Sequence, residues 1–325
     1  MQKIVVDIYG ADAGIEPVVA GIAKALKLGV EFFPVLVGDE AACTAILERE
    51  GISPDRYEIL HTDKFITNDE PPTCVFAGRE DSSLVMAYQR LKSDPECCGM
   101  LSAGSTGALL VGSIRHLGLL SGLKFPALAS ALPCGVENLV CLVDCGANIS
   151  CTPADLARFA TMGSIFSACF CGIAEPRVGL LNVGREPGKG TALHQEAYEK
   201  LAALPIRFVG NVEGSDLVSG YADVVVSDGF SGNILLKSTE AAGKLAIDIA
   251  RQIGMDTDPA LTERIAQAIW RKLEFNSQGA ATFLGTKKIV VKMHGCANED
   301  TTVSSIRHII RLQETGFLSA MAANL

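Results

Sequence analysis

The 325-residue sequence predicts an α/β fold with a mostly parallel central sheet. Short segments that are apolar on both faces alternate with longer segments of helical spacing, a pattern typical of a parallel sheet covered by helices on both sides. The predicted strands are 3–8, 33–37, 100–103, 140–144, 177–182, 206–209, 223–227 and 288–292. The clearest predicted helices between them are 16–28, 82–92, 153–167 and 191–201.

Helix-start signals support the assignment of the helical segments. Thr152 is an N-cap residue type, Pro153 suits the first helical position, and Asp155 places a carboxylate in the first turn. The segment after Thr152 is therefore a helix that begins at a defined residue.

One segment breaks the alternation of strands and helices. Residues 240–278 hold two successive helical patterns without a strand between them, which predicts a helical hairpin that stands off the sheet. Its apolar stripes fit either the core or a contact with a second subunit or a membrane surface. Since no linker or low-complexity tract interrupts the chain, we predict a single αβα catalytic domain over residues 1–325, with 240–278 as its insertion.

The composition excludes several classes of protein. Hydrophobic residues make up 48% and charged residues 20%, which predicts a large core. The net charge of −9 argues against a binder of duplex nucleic acid, because such a protein needs a basic face. The N-terminus lacks a signal-peptide h-region, so we expect a cytoplasmic protein whose eleven irregularly spaced cysteines are reduced thiols rather than metal ligands. Cys296 is left open because it lies in a candidate loop.

Glycine-rich polar segments follow seven of the predicted strands. Ligands of an open parallel sheet bind beyond the carboxyl ends of its strands, so these segments are expected at the functional edge. Their small residues let backbone N–H groups approach an anion. The segments are DIYGADAG, SAGSTG, DCGAN, NVGREPGKG, GNVEGSD, DGFSGN and HGCAN. They indicate a site for phosphate or another compact anion, to which Arg185, Lys189 and Lys237 could add charge.

The common nucleotide-binding fingerprints are missing. VGREPGKG resembles a Walker A loop, but it has three residues rather than four between its first two glycines, and Gly190 follows the lysine. No GxGxxG motif occurs, which counts against a nicotinamide-dependent oxidoreductase. The serine-hydrolase motif GxSxG is also missing.

Several candidate residues have two interpretations. His294 fits either a turn or an acid–base role, and Asp228 fits either a helix N-cap or an acid–base role. Lys237 fits either a solvated surface position or an anion contact. Lys189 lies between glycines, and this backbone freedom favours contact with a ligand.

Several long motifs, in this order, resemble the PlsX family, the phosphate acyltransferases of bacterial phospholipid synthesis. The resemblance runs along nearly the full chain. The motifs are SAGSTGALL (102–110), DCGAN (144–148), LLNVGREPGKG (180–190), FVGNVEGSDL (208–217), ADVVVSDGFSGNILLK (222–237), and GAATFLG with MHG (279–285 and 293–295).

The resemblance implies a three-layer αβα fold related to phosphotransacetylases and isocitrate-dehydrogenase-like folds, and a homodimer. It implies transfer of a fatty acyl group from acyl carrier protein to inorganic phosphate, giving an acyl phosphate for a membrane glycerol-3-phosphate acyltransferase. Family members are cytosolic and can associate peripherally with the membrane. A thiolate leaves readily, so no covalent enzyme nucleophile is required, and no metal or cofactor is expected.

This chemistry needs a held anion and a stabilised oxyanion, which suggests roles for the polar residues of the motifs. We predict Lys189, Asp228 and His294 as catalytic residues. The predicted substrate- and phosphate-binding residues are Ser105, Thr106, Asn148, Asn182, Asn211, Ser231, Asn233 and Lys237.

The sequence departs from the family pattern in four segments. This chain has DIYGAD where the family has DxMGGD, SAGSTG where it has SAGNTG, and HGCA where it has HGSS. The basic run of the family before Ser82 is reduced to GRED. The lost positive charge weakens the expectation that an acidic carrier protein docks there. Two alternatives follow: a divergent paralogue that forms acetyl phosphate from another thioester, as in glycine-reductase-type complexes, and a non-catalytic binding protein of the same fold.

Overall fold

The structure is a computed structural model that describes residues 1–76, 78–135, 138–254, 258–273 and 280–325, without the side chains of 268–273. The described residues contain strands β1 Lys3–Asp7, β2 Phe33–Gly38, β3 Glu58–His61, β4 Cys97–Ser102, β5 Ala127–Cys134, β6 Asn138–Val143, β7 Arg177–Leu181, β8 Arg207–Val212, β9 Val224–Val226, β10 Ala281–Leu284 and β11 Ile289–Lys292.

Helices occupy most of the segments between the strands. They are α1 Glu16–Lys27, α2 Glu40–Arg49, α3 Ser83–Ser93, α4 Thr106–Gly112, α5 Pro153–Phe166, α6 Ala192–Ala202, α7 Asp216–Ser219, α8 Gly229–Gly254, α9 Pro259–Leu273, α10 Glu299–Glu314 and α11 Phe317–Asn324. The predicted start of α5 is confirmed: the Thr152 side chain accepts a hydrogen bond from the Asp155 N–H, and Asp155 accepts one from the Thr152 N–H.

The chain divides into two compact units, and the first comprises Met1–Ala129 and Gly279–Leu325. Its strands lie in the order β3, β2, β1, β4, β11, β10. The pairs from β3 to β11 are parallel, whereas β10 is antiparallel to β11 and to the start of β5. Helices α3 and α10 both contact β4. Strand β1 is buried from Ile4 to Asp7, so the core of this unit surrounds it.

The second unit, Ser130–Gln278, holds parallel strands in the order β6, β9, β7, β8. Helix α5 contacts β6, β9 and α6, and the three residues of β9 are fully buried. Close approach explains Gly163 in α5, because a Cβ there would lie 2.7 Å from side-chain carbons of Val143 and Val224. The carboxyl ends of all four strands therefore meet at one edge of this unit.

Each predicted strand and helix has an observed counterpart within a few residues, but three strands were not predicted. These are β3, β5 and β10. The prediction of one domain over 1–325 stays a prediction, because compact units need not be independent domains. None of the described helices combines the length and hydropathy that crossing a bilayer requires.

The predicted hairpin over 240–278 corresponds to α8 and α9, which contact each other. Its residues 255–257 and 274–278 lie outside the described residues. Helix α8 already begins at Gly229, upstream of the predicted start, because the glycines there serve close packing rather than a break. A Cβ at Gly232 would lie 1.9 Å from the Asp144 carbonyl oxygen.

Candidate functional site

The edge of the second unit carries two groups of predicted site residues. Since β6, β9, β7 and β8 are parallel, the segments that follow them share this edge. One group belongs to the segment 183–190, which we call the 183–190 loop: Lys189 lies in this loop, and Asn182 and Asn211 contact it. Asn148, Asp228, Ser231 and Asn233 lie where β6 and β9 end.

Two asparagines hold the 183–190 loop in place. The Asn182 amide donates to the Lys189 carbonyl at 3.1 Å, and its oxygen accepts from the Val183 N–H at 2.8 Å. The Asn211 amide donates to the Glu186 carbonyl at 2.8 Å. Gly190 has φ +84°, and a Cβ there would lie 2.6 Å from the Asn182 amide oxygen. The contacts of the two predicted phosphate-binding asparagines are therefore with the loop itself.

The loop presents hydrogen-bonding groups that the protein does not use. Among the described residues, the backbone N–H groups of Gly184, Arg185 and Gly188 make no hydrogen bond. Asn211 is 2% exposed, and its side-chain oxygen has no hydrogen-bond partner in the part of the chain that the structure describes. Most buried polar atoms in native proteins are paired, so the buried Gly184 and Asn211 mark a place where a polar ligand could bind, and the N–H groups of the exposed Arg185 and Gly188 lie beside them.

Lys189 is the least neutralised of the three cations considered from the sequence. Arg185 contacts the buried Asp216 at 2.5 Å, and this hydrogen bond raises the pKa of the guanidinium. Lys237 contacts Glu240 at 2.7 Å on the surface of α8. Lys189 comes no closer than 3.9 Å to Glu186, and its side chain is half exposed. Its charge is thus available to an anion at the loop.

Asp144 organises the segment after β6. Its carboxylate accepts hydrogen bonds from the N–H groups of Gly146, Ala147 and Asn148, at 2.7–3.0 Å, and from the Asn148 amide at 2.7 Å. The Asn148 carbonyl in turn accepts from the Gly229 N–H at 2.7 Å. This predicted ligand residue therefore also links two neighbouring segments of the edge.

Asp228 makes the contacts of a helix N-cap at the start of α8. Its carboxylate accepts from the Ser231 N–H at 2.8 Å and the Ser231 hydroxyl at 2.9 Å. Asn233 is exposed one turn into the helix, and a Cβ at Gly146 would lie 3.6 Å from it. The capping interpretation of Asp228 is confirmed, and its role in catalysis stays a prediction.

The edge of the first unit brings a buried carboxylate to the end of β1. The Asp7 carboxylate accepts a hydrogen bond from the Ser102 hydroxyl at 2.7 Å, and the Gly104 N–H donates to the same hydroxyl at 3.0 Å. Burial raises the pKa of Asp7 to about 6. Ser105 and Thr106 are half-buried at the start of α4. The Asp7–Ser102 contact thus positions the segment that carries both predicted ligands.

His294 follows β11, next to the end of β4. The Met293 N–H donates to the Ser102 carbonyl at 2.9 Å, which places His294 on the same edge as Ser105 and Thr106. The Nδ1 atom of His294 lies 3.1 Å from the Cys296 sulfur.

Three structural acids were absent from the predicted site residues: Asp7, Asp144 and Asp216. All three are nearly fully buried at or just beyond a strand end. The sequence signal that could have identified such an acid is an aspartate immediately after a run of apolar residues, as in IVVD, which ends at Asp7, and CLVD, which ends at Asp144. A charge so placed needs partners, and these three find them in backbone N–H groups, a hydroxyl and an arginine.

Known proteins resemble the chain in sequence and in structure. The sequence profile of the family described as fatty acid synthesis protein matches residues 2–320. Phosphate acyltransferases of Bacillus cereus and Bacillus mycoides are 37% and 36% identical over 314 residues, which cover 94% of this chain and 93% of each relative.

Solved structures share the fold at lower identity. A phosphotransacetylase from Streptococcus pyogenes has a TM-score of 0.63 at 19% identity, covering 97% of this chain and 94% of its own. A branched-chain phosphotransacylase from Enterococcus faecalis has a TM-score of 0.61 at 15% identity, covering 96% and 99%. The predicted phosphotransacetylase-like α/β fold is confirmed. With a profile match over nearly the whole chain and relatives at this identity, the protein belongs to the PlsX family of fatty acid synthesis proteins.

Proposed function

We propose that the protein is a phosphate acyltransferase, which moves an acyl group from a thioester to inorganic phosphate and releases an acyl phosphate. Family membership and the relatives named phosphate acyltransferase support this activity. The observation that carries the proposal is the 183–190 loop. It combines unpaired N–H groups with the available charge of Lys189, and two asparagines hold it in shape.

The loop suits a phosphate nucleophile. Backbone N–H groups and a lysine bind phosphate oxygens by charge-assisted hydrogen bonds, which orient the anion toward an acyl carbonyl. The attack forms an oxyanion, which polar donors at the same edge stabilise. The thiolate then leaves without a covalent enzyme intermediate being required. Asn148, Asn182, Asn211, Ser231 and Asn233 are the proposed ligand contacts around this step.

The proposed donor is acyl carrier protein loaded with a fatty acyl chain, and the acyl phosphate is then consumed in phospholipid synthesis by a membrane acyltransferase. Asp228 and His294 are the proposed acid–base residues. Ser105 and Thr106 are proposed to contact substrate from the start of α4.

We further propose a cytoplasmic homodimer that associates peripherally with the membrane. The support is an apolar stripe on α8, formed by Leu245, Ile249 and Ile253, which recur every four residues and are 60%, 46% and 71% exposed. Leu261 and Ile265 continue the pattern on α9. An exposed stripe of this length suits a contact with a second subunit or with lipid.

The test is a phosphate-dependent acyl transfer assay. The purified protein is mixed with phosphate and with acyl carrier protein or coenzyme A carrying chains of different length, and acyl phosphate is trapped as hydroxamate. We expect product that requires both phosphate and enzyme. No product at any chain length would overturn the proposal, and product from acetyl thioesters alone would support the acetyl-phosphate-forming alternative.

A further inference from the structure

The loop after β11 pairs a thiol with a base. The Cys296 sulfur lies 3.1 Å from Nδ1 of His294, and the Cys296 backbone N–H donates to the same nitrogen at 3.3 Å. A ring nitrogen that accepts an N–H bond carries a lone pair, so the neutral ring holds its proton on Nε2. In this tautomer the Nδ1 lone pair can also accept from the thiol, which would share it with the backbone N–H. An adjacent base is the usual way in which a protein activates a cysteine nucleophile.

Cys296 differs from the other ten cysteines in its surroundings. Cys296 is the exposed cysteine, whereas the other ten are buried or half-buried. Burial raises the pKa of Cys98 to about 11 and that of Cys43 and Cys151 to about 12. A thiol with so high a pKa is a poor nucleophile near neutral pH. Because the Cys296 side chain is exposed, an electrophile in solution should reach it before the other cysteines.

A partly open and mostly apolar cavity adjoins the Cys296 loop within the same unit. Its volume is about 330 Å³, and its lining includes Tyr9, Phe65 and Ile66 together with the polar Asp12, Thr67 and Asn68. The rings of Tyr9 and Phe65 stack at 4.6 Å. The loop touches this lining, because the Asp12 N–H donates to the Gly295 carbonyl at 2.7 Å and a Cβ at Gly295 would lie 2.8 Å from the Asp12 carboxylate. A cavity of this size and character suits an apolar chain.

We propose that Cys296 is an acyl-acceptor site, at which its thiol takes the acyl group of a thioester with His294 as the base. The donor class rests on the proposed function above. The thiol proton moves to Nδ1 of His294 as the sulfur forms a bond to the acyl carbonyl carbon. The bond from that carbon to the donor sulfur then breaks, and the donor thiolate takes the proton from Nδ1. One thioester replaces another, so the step needs no oxidant or reductant, and the cavity beside Asp12 would receive the acyl chain.

The experiment is an intact-mass measurement of the full chain after incubation with acyl-coenzyme A of two, eight or sixteen carbons, in the absence of phosphate. We expect one acyl mass per chain, which neutral hydroxylamine removes and peptide mapping places on Cys296. Cys296→Ala should remove this mass, while Cys74→Ala, a half-buried cysteine of the same unit, should retain it. His294→Gln should slow the labelling on the order of 100-fold, the usual contribution of a general base.

An unmodified wild-type protein, or an acyl group on another cysteine, would overturn the inference. The outcome is separable from that of the proposed function, because acyl phosphate formation is measured with phosphate present and over many turnovers. Labelling without acyl phosphate would contradict the proposed function alone, and acyl phosphate without labelling would contradict this inference alone.

Discussion

The Asn211 side chain donates a hydrogen bond to the Glu186 carbonyl at 2.8 Å, and so ties the end of β8 to the middle of the 183–190 loop. Asn182 makes the second such tie, to the Lys189 carbonyl. The asparagines that the sequence marked as phosphate contacts therefore also fix the shape of the loop that would bind phosphate. The two asparagines thus position the loop, whereas Lys189 supplies its charge.

Removal of the Asn211 tie should weaken phosphate binding more than it weakens the fold. For Asn211→Ala we expect the KM for phosphate to rise roughly tenfold, with a loss of about 1 kcal/mol in the free energy of unfolding for one hydrogen bond. The hydroxamate assay over a range of phosphate concentrations measures the first and urea unfolding the second. The matched control is Asn324→Ala, which loses a 2.8 Å amide contact to Ala320 at the end of α11. An unchanged KM in a folded Asn211→Ala protein would refute the positioning role.

Loss of the Lys189 charge should raise the KM for phosphate. A charge-assisted contact to an anion contributes about 1.5–3 kcal/mol, so Lys189→Ala should raise this KM about 10- to 100-fold. Lys200→Ala removes an exposed lysine from α6 and serves as control. Equal phosphate dependence in the Lys189→Ala and wild-type enzymes would show that the lysine does not contact the anion.

The buried carboxylate of Asp7 should make stability fall as the pH rises. The folded protein keeps the Asp7 proton up to a pKa of about 6, while the unfolded chain releases it near the ordinary value of 3.8. Between these values the folded state binds more protons, so the contribution of Asp7 to the free energy of unfolding decreases with pH, by on the order of 3 kcal/mol in total.

Asp7→Asn should abolish this contribution. From about pH 4 to about pH 6, wild type should therefore lose stability relative to Asp7→Asn. Urea unfolding of both proteins at each pH measures this difference in the free energy of unfolding. An exposed acid, Asp63, gives the control variant Asp63→Asn. Parallel pH profiles of wild type and Asp7→Asn would contradict the raised pKa.

Truncation of Arg185 should destabilise the protein, although its side chain is 54% exposed, because its partner Asp216 is 3% exposed. Without the guanidinium, the partners of the Asp216 carboxylate among the described residues are uncharged, such as the Glu213 N–H at 2.9 Å. We expect Arg185→Ala to lower the free energy of unfolding in urea, by less than the loss of a partner from a fully buried pair would. Arg185→Lys should lose less than Arg185→Ala because it keeps the charge. Wild-type stability in Arg185→Ala would mean that the pair contributes nothing.

Most of the predicted strands were recognisable because they are short buried runs in the sequence, such as VVV in β9. The missed strands lack that signal. The four residues of β3 are half-buried or exposed, and β5, with the sequence ALASALPC, contains alanine, serine and proline in place of β-branched residues. β10 is as long as the predicted β11, so its length does not explain the omission. Pairing with neighbouring strands, rather than local propensity, makes these segments extended.

At the candidate site, the sequence predicted which segments meet at an edge but not what each side chain contacts. Topology follows from the order of the elements, which the sequence displays. The contact of Asn211 with Glu186 and of Arg185 with Asp216 depends on loop conformation, which composition does not determine. The same limit applies to Gly232, where glycine is needed for close approach to the Asp144 carbonyl within α8.

The measurement that tests acyl transfer to phosphate most directly is a time course of ³¹P NMR spectra of the enzyme with phosphate and acyl carrier protein thioester, read together with the release of free carrier thiol. We expect an acyl phosphate resonance that grows in proportion to the released thiol over many turnovers, and far more slowly with Lys189→Ala. Thiol release at the same rate without phosphate, and without a new phosphorus resonance, would contradict acyl transfer to phosphate.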